Sequence, residues 1–417
     1  KKIISDLFPH LLYMSGLYIH IPFCASRCIY CGFYSTITPK KAIGTGEVGN
    51  GAPYLIDRYT DAICKEMELQ KGYIVNKAIV KEENSKLKTI YLGGGTPSQL
   101  SFRNLQQIFH QITTVYSEIL DDYNSMEVTL ECNPDDVTDD FASEISRLPI
   151  NRISMGVQTF SNDRLRFIKR RHNAEEIGMA VRRLRNIGIQ NISIDLMFGF
   201  PQENLDDWKK DIDKALALNI EHISAYSLMY EEGTPLFHLL ECGKVKEIDE
   251  ESYRKMYEEL TNRLTNAGFE QYEISNFARI IEGRSISPYR SRHNSSYWND
   301  TAYLGIGASA HSYNRISRQW NVSDLKVYID AIEKGKLPAE KEIIDENTHY
   351  NDLITTALRT TEGIDTSILP SKLRKYILKV AQPHIEANLL KIDDNHLHLT
   401  RNGIFVSDSI MSDLMFV

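Results

Sequence analysis

The sequence predicts an α/β protein: a partial TIM-type (β/α)6 barrel followed by a small α+β, winged-helix-like C-terminal domain. Three observations predict it. Short β-branched runs alternate six times with amphipathic helical patterns between residues 17 and 226, the order of a parallel sheet wrapped by helices. Glycines, carboxylates and amides recur just past the ends of those strands, where barrels of this kind carry their functional loops. After residue 245 the alternation fades, and residues 346–417 read as helices with a closing strand pair around Leu397-His398-Leu399-Thr400. The expected division is an N-terminal extension over 1–15, a barrel core over 16–245, an extension of the barrel over 246–345 and the C-terminal unit over 346–417.

In chain order, the first strand is expected over 17–21 and leads directly into Cys24, Cys28 and Cys31. Residues 40–53, rich in Gly, Lys and Ala without periodicity, read as a loop. A helix over 54–71 precedes a strand over 89–92 that ends in Gly93-Gly94-Gly95-Thr96-Pro97, where glycines let backbone amides approach a ligand. A helix over 101–119 and a strand over 126–131 follow, the strand ending in Glu131-Cys132-Asn133-Pro134. Next come a helix over 139–147 and a strand over 152–157, which ends in Met155-Gly156-Val157-Gln158. A helix over 174–187 leads to a strand over 191–198 with Asp195 inside it and Phe198-Gly199-Phe200-Pro201 at its end. A helix over 204–218 and a strand over 221–226 complete six units. Beyond them the pattern predicts a helix over 248–266, a strand over 269–274 and irregular chain to about residue 320. Singly, each polar residue has a bland explanation as a turn, a cap or a structural carboxylate. Together they fall on one rim.

A formal net charge of -8 offers no broad basic surface, so nucleic acid is not an expected partner. No apolar run reaches 18 residues, which excludes an integral membrane segment from the expectation and leaves peripheral association open. The first 13 residues lack the apolar stretch and cleavage site of a secretory signal. Six cysteines, three clustered and three scattered at Cys64, Cys132 and Cys242, do not form a disulfide framework, and a reducing cytoplasm fits them better.

The cysteine cluster carries the chemistry. Three thiolates are one short of a closed zinc site, for which His20 is a candidate fourth ligand, whereas a cubane iron-sulfur cluster on three cysteines keeps one iron open. An amino acid's amine and carboxylate can chelate that iron, and a low-potential cluster can reduce a bound sulfonium. The Cys-x3-Cys-x2-Cys spacing, with Tyr30 before the last cysteine, resembles the signature of the radical S-adenosylmethionine superfamily.

With Tyr18-Ile19-His20-Ile21-Pro22-Phe23-Cys24, the Gly-Gly-Gly-Thr-Pro loop and Arg152-Ile153-Ser154-Met155-Gly156-Val157-Gln158 in register, the chain resembles the HemN/HemW family from Gly16 to Val417. The resemblance implies a 4Fe-4S cluster on Cys24, Cys28 and Cys31, with Tyr30 packed beside it. It implies S-adenosylmethionine held by Tyr18, Gly94, Gly95, Thr96, Glu131, Gln158, Arg170 and Asp195. An arginine and two carboxylates suit a zwitterionic cofactor with a ribose diol.

Two activities occur in that family: haem binding with delivery to a haem-requiring acceptor protein, and oxygen-independent coproporphyrinogen III dehydrogenation to protoporphyrinogen IX. The dehydrogenase branch carries a fourth cysteine two positions after the third, where this chain has Phe33. It carries Asn-Phe-Gln-Gly-Tyr where this chain reads His293-Asn294-Ser295-Ser296-Tyr297-Trp298, and Ala-Ile-Ser where this chain has Ala310-His311-Ser312. The resemblance therefore implies a haem chaperone with haem as cargo, the dehydrogenase being the alternative. Imidazole is a usual axial ligand and aromatics give a macrocycle a flat wall, so His293 beside Tyr297 and Trp298 is a candidate haem contact, with His311 a weaker one.

Overall fold

The computed structural model describes residues 14–37, 52–73 and 86–417. The expected N-terminal extension up to residue 13, and the loop read over 40–53 up to residue 51, lie outside the described residues.

Six parallel strands are hydrogen-bonded in sequence order: β1 (Met14–Ile21), β2 (Lys86–Gly94), β3 (Glu127–Cys132), β4 (Arg152–Gln158), β5 (Asn191–Phe198) and β6 (His222–Ser227). Each crossover carries a helix, α1 (Ala52–Leu69), α2 (Phe102–Tyr116), α3 (Asp139–Ile145), α4 (Ala174–Asn186) and α5 (Leu205–Ala217). All lie within three residues of the ranges the alternation predicts.

The local reasons are simple. β4 is buried at all seven positions, as a strand covered on both faces must be. Tyr59, Ile63 and Met67 of α1 and Leu105, Ile108 and Ile112 of α2 turn their apolar stripes onto the sheet. Ser101 and Asn173 start α2 and α4 with reciprocal capping boxes, so each helix begins where a side chain meets its unpaired amides.

The segment expected to be irregular up to residue 320 is instead built into the sheet. Tyr303–Ile306 is a seventh parallel strand, paired along β1, and 311–313, 317–321 and 339–343 continue antiparallel from it. On the far side β6 pairs antiparallel with 276–279, which pairs with 269–273. The strand over 269–273 is the one expected over 269–274; the others are three to five residues long, too short for a periodic signal, and the partner of 303–306 lies at the other end of the chain. Among the described residues the edges 269–273 and 339–343 are not paired with each other, so the barrel is partial.

One further helix, α6 (Arg292–Trp298), packs against β1 and β2. Residues 346–417 have a core of their own, with Tyr350, Ile354, Leu373, Ile377, Leu397 and Ile410 buried together. They close with the antiparallel pair Leu390–Asp393 and His396–Leu399. The ion pairs Arg359–Glu273 (2.7 Å) and Arg290–Glu362 (2.6 Å) tie this unit to the barrel. Among the described residues no helix is long and apolar enough to cross a membrane.

Candidate cluster and cofactor site

The thirteen residues assigned from the sequence to the cluster, to S-adenosylmethionine and, as His293, to haem line one cavity of about 630 Å³, most of them at the C-terminal ends of the parallel strands. The topology brings them together because consecutive parallel strands end on the same side.

The cysteine loop leaves β1 and is anchored from both directions. The Ile29 amide donates to the Ile168 carbonyl (3.3 Å), and the Leu236 amide donates to the Ile29 carbonyl (2.9 Å). Cys24, Cys28 and Cys31 are free and half-buried. Burial pushes the Cys24 and Cys31 thiols up, and the other cluster cysteines push the same way, Cys28 on Cys24 and both Cys28 and Cys24 on Cys31. The three sulfurs are thus within electrostatic reach of one another. No three ligating side chains stand gathered at metal-ligand spacing among the described residues. The donor set nevertheless fits an iron-sulfur cluster, since three free thiols on one short loop are the soft ligands such a cluster takes. The zinc alternative fails on geometry. His20 Nε2 donates to the Tyr34 carbonyl (3.2 Å), and Nδ1 accepts from the Tyr18 hydroxyl (3.0 Å), so neither nitrogen is open. Burial lowers the His20 pKa to about 4 and keeps the ring neutral.

The glycine loop follows from a close approach. The Gly95 amide donates to the Ile21 carbonyl (2.8 Å), and a Cβ on Gly95 would stand 2.9 Å from the Ile21 and Phe23 carbonyl oxygens. Gly94 has φ +113°, a backbone that side chains rarely adopt, and its amide donates to Glu131 Oε2 (3.1 Å). Thr96 Oγ1 donates to Cys24 Sγ (3.6 Å), joining this loop to the cysteines.

Both oxygens of Glu131 are engaged, Oε1 accepting from the Tyr91 hydroxyl at 2.6 Å. Burial, with Asp195 adding to it, pushes Glu131 up to about 7, while burial alone lifts Asp195 to about 6 against the pull of Arg152 and Ser224. Gln158 sits at a register shift at the end of β4 with φ 68°, the left-handed region. Its amide makes no hydrogen bond to protein among the described residues. A positive φ at a non-glycine residue costs free energy, and here it falls on a side chain that lines the cavity. Arg170 supports it from the next loop, donating from Nη2 to the Gly156 carbonyl (2.9 Å) and from Nη1 to Asn133 Oδ1 (2.7 Å). Its buried Nε is without a partner. Tyr18 and Tyr30 complete the wall, both hydroxyls pushed up chiefly by burial.

His293 lines the cavity, but the geometry runs against its expected role as an axial ligand. Its ring is 0% exposed, Nδ1 pairs with Thr89 Oγ1 (2.8 Å) and Nε2 with the Tyr297 hydroxyl (2.9 Å). No nitrogen is left for iron. His311 lies outside the cavity lining, stacked on Trp320 with ring centres 6.1 Å apart.

Three features escaped the sequence reading. Arg152 is fully buried with Nε and Nη1 unpartnered, and its charge acts on both Glu131 and Asp195; an arginine inside an apolar strand was the available signal. Tyr91, which holds Glu131, carried no signal. Nor did Met229 (59% exposed) and Tyr226 (41%), which line the cavity together with Phe33 (73%), the residue the sequence had marked only as a replacement for a fourth cysteine.

A partial barrel of parallel strands with a three-cysteine loop after the first strand defines a radical S-adenosylmethionine protein. Residues 18–215 match the Radical SAM superfamily, and residues 344–406 match the HemN C-terminal domain. The superfamily implies a 4Fe-4S cluster and S-adenosylmethionine. The heme chaperone HemW of Bacillus subtilis (strain 168) is 32% identical over 95% of this chain and 98% of its own length. HemW of Lactococcus lactis subsp. lactis (strain IL1403) is 30% identical over 96% and 97%. The chain belongs to the HemN/HemW family. Among solved structures, coproporphyrinogen III oxidase (HemN) from Escherichia coli shares the fold with a TM-score of 0.77, 20% identity, and coverage of 99% of this chain and 93% of that one.

Proposed function

We propose that this protein holds a 4Fe-4S cluster on Cys24, Cys28 and Cys31 and S-adenosylmethionine in the adjoining cavity, and that it binds haem and passes it to a haem-requiring protein in the cytoplasm. The relatives named heme chaperone HemW, matched over nearly the whole chain, support this reading. When bound, the cluster supplies a low-potential electron to the sulfonium. Around it, Glu131 would meet the cofactor's positive charge, Arg170 would offer its guanidinium to the carboxylate, and Asp195 would accept from the ribose hydroxyls.

The observation that carries the haem reading is Phe33. Two positions after the last cluster cysteine it places an exposed ring, not a thiol, on the cavity mouth beside Met229 and Tyr226. A flat, largely apolar macrocycle is the cargo such a rim suits, and exposed Arg27 on the same lining supplies a cation for a propionate.

The test is anaerobic reconstitution with iron and sulfide, then two assays on one sample. A Soret band saturating at one haem per chain, with no conversion of coproporphyrinogen III to protoporphyrinogen IX in the presence of S-adenosylmethionine and reductant, is expected. Turnover of coproporphyrinogen III would overturn the chaperone reading.

A further inference from the structure

The His-Asn-x-x-Tyr-Trp segment needs another role if its histidine has no nitrogen for iron. The buried carboxylate of Glu127 at the start of β3 pins the N-terminus of α6, Oε2 accepting from the Arg292 amide and Oε1 from the His293 amide, both at 2.9 Å. That fixes the backbone of His293, while Thr89 and Tyr297 fix its ring. The ring lies against Tyr91, with centres 5.0 Å and planes 23° apart.

Room is made for it on the neighbouring strand, since a Cβ on Gly16 would stand 3.2 Å from the imidazole. Tyr91 in turn reaches across Gly93 to Glu131. A Cβ on Gly93 would stand 2.6 Å from Tyr91 Cε1 and 2.9 Å from Glu131 Oε1, so this contact exists only because residue 93 has no side chain. An unbroken set of contacts therefore runs from Glu127 through α6, His293 and Tyr91 to the carboxylate in the cofactor cavity.

We propose that His293 and Tyr91 are positioning residues for Glu131: α6 braces the imidazole, the imidazole braces the Tyr91 ring, and the Tyr91 hydroxyl aims the carboxylate at the cationic end of S-adenosylmethionine. The proposal rests on the reading of the cavity as a site for that cofactor, and it assigns the histidine of α6 to cofactor binding instead of haem ligation. One contact is local and removable. Tyr91→Phe keeps the stacked ring and deletes only the hydroxyl.

The test uses the full chain reconstituted anaerobically with iron and sulfide. S-adenosylmethionine is the probe, followed by equilibrium binding and by the change it causes in the reduced cluster's EPR signal. Tyr91→Phe should weaken binding about fivefold and His293→Ala about tenfold, with the double variant no weaker than His293→Ala alone because both act through one carboxylate. In a Glu131→Gln background, Tyr91→Phe should change nothing further. Binding within twofold of wild type for Tyr91→Phe, or an undiminished effect in the Glu131→Gln background, would overturn the proposal. So would loss of the Soret band in His293→Ala with unchanged S-adenosylmethionine affinity. Should His293→Ala fail to fold, Tyr91→Phe alone and in the Glu131→Gln background decides. A wild type whose EPR signal ignores S-adenosylmethionine would overturn the cofactor reading and this inference with it.

Discussion

Replacing Gln158 by glycine separates a residue kept for the fold from one kept for a ligand. Gln158 holds φ 68°, where a side chain costs about 1 to 2 kcal/mol. Glycine removes that cost, but its freer unfolded chain returns about 0.5 to 1 kcal/mol. Losing the two buried stem methylenes returns about 1.6 kcal/mol at most. No protein hydrogen bond is lost, since the amide makes none among the described residues. These terms leave a net cost between about 0.1 and about 1.6 kcal/mol, so Gln158→Gly should destabilise by no more than about 1.6 kcal/mol in urea unfolding. The ligand side has no such compensation. An amide lost from a charged cofactor costs about 1.4 kcal/mol, so S-adenosylmethionine affinity should fall about tenfold by titration of the reconstituted protein. Destabilisation by about 3 kcal/mol with unchanged affinity would refute the reasoning and make Gln158 a structural residue.

Four further outcomes follow from the same geometry. Cys28→Ala should abolish the broad visible absorbance and the reduced EPR signal of the reconstituted cluster while leaving far-UV circular dichroism intact. Phe33→Ser combined with Met229→Ser should weaken haem binding about tenfold at unchanged iron content, because two exposed apolar contacts leave the rim. Glu131 and Asp195 have pKa values raised to about 7 and about 6, so the ligand-free fold keeps protons that the unfolded chain releases. Their contribution to stability is full below about pH 4 and is lost as pH rises through 6 to 7, and the Glu131→Gln, Asp195→Asn pair should flatten that slope in urea midpoints measured from pH 5 to 8. In the C-terminal unit, Ile377→Ala should cost about 3 kcal/mol in that unit's unfolding transition without changing cluster absorbance under native conditions, since Ile377 belongs to the separate core.

The residues that line the cavity were legible in the sequence to the extent that they sit on local segments. The cysteine loop, the glycine run, Glu131, Gln158 and Asp195 each sit at the end of a strand whose apolar run is itself a sequence signal, and parallel topology then forces those ends to one side. Arg170 came from the family resemblance, and the structure supplies its reason, a fork that holds Gly156 and Asn133. Residues that act by orientation were not legible. Tyr91 reads as one more apolar strand residue, and only the folded chain shows that its hydroxyl meets Glu131 across the space Gly93 leaves open. Arg152 reads as a strand-start charge, yet the fold buries it among carboxylates.

The sequence by itself determined the α/β class, the six βα units and the three-thiol motif, because helix and strand periodicities and short motifs are properties of neighbouring residues. Tertiary structure alone decided that residues 303–306 extend the parallel sheet beside β1, that Phe33, Met229 and Tyr226 share the cavity mouth, and that both nitrogens of His20 and His293 are committed. Those outcomes depend on contacts between segments far apart in the chain. A histidine's chemistry is set by what its ring meets, and what it meets is fixed only when the chain has folded.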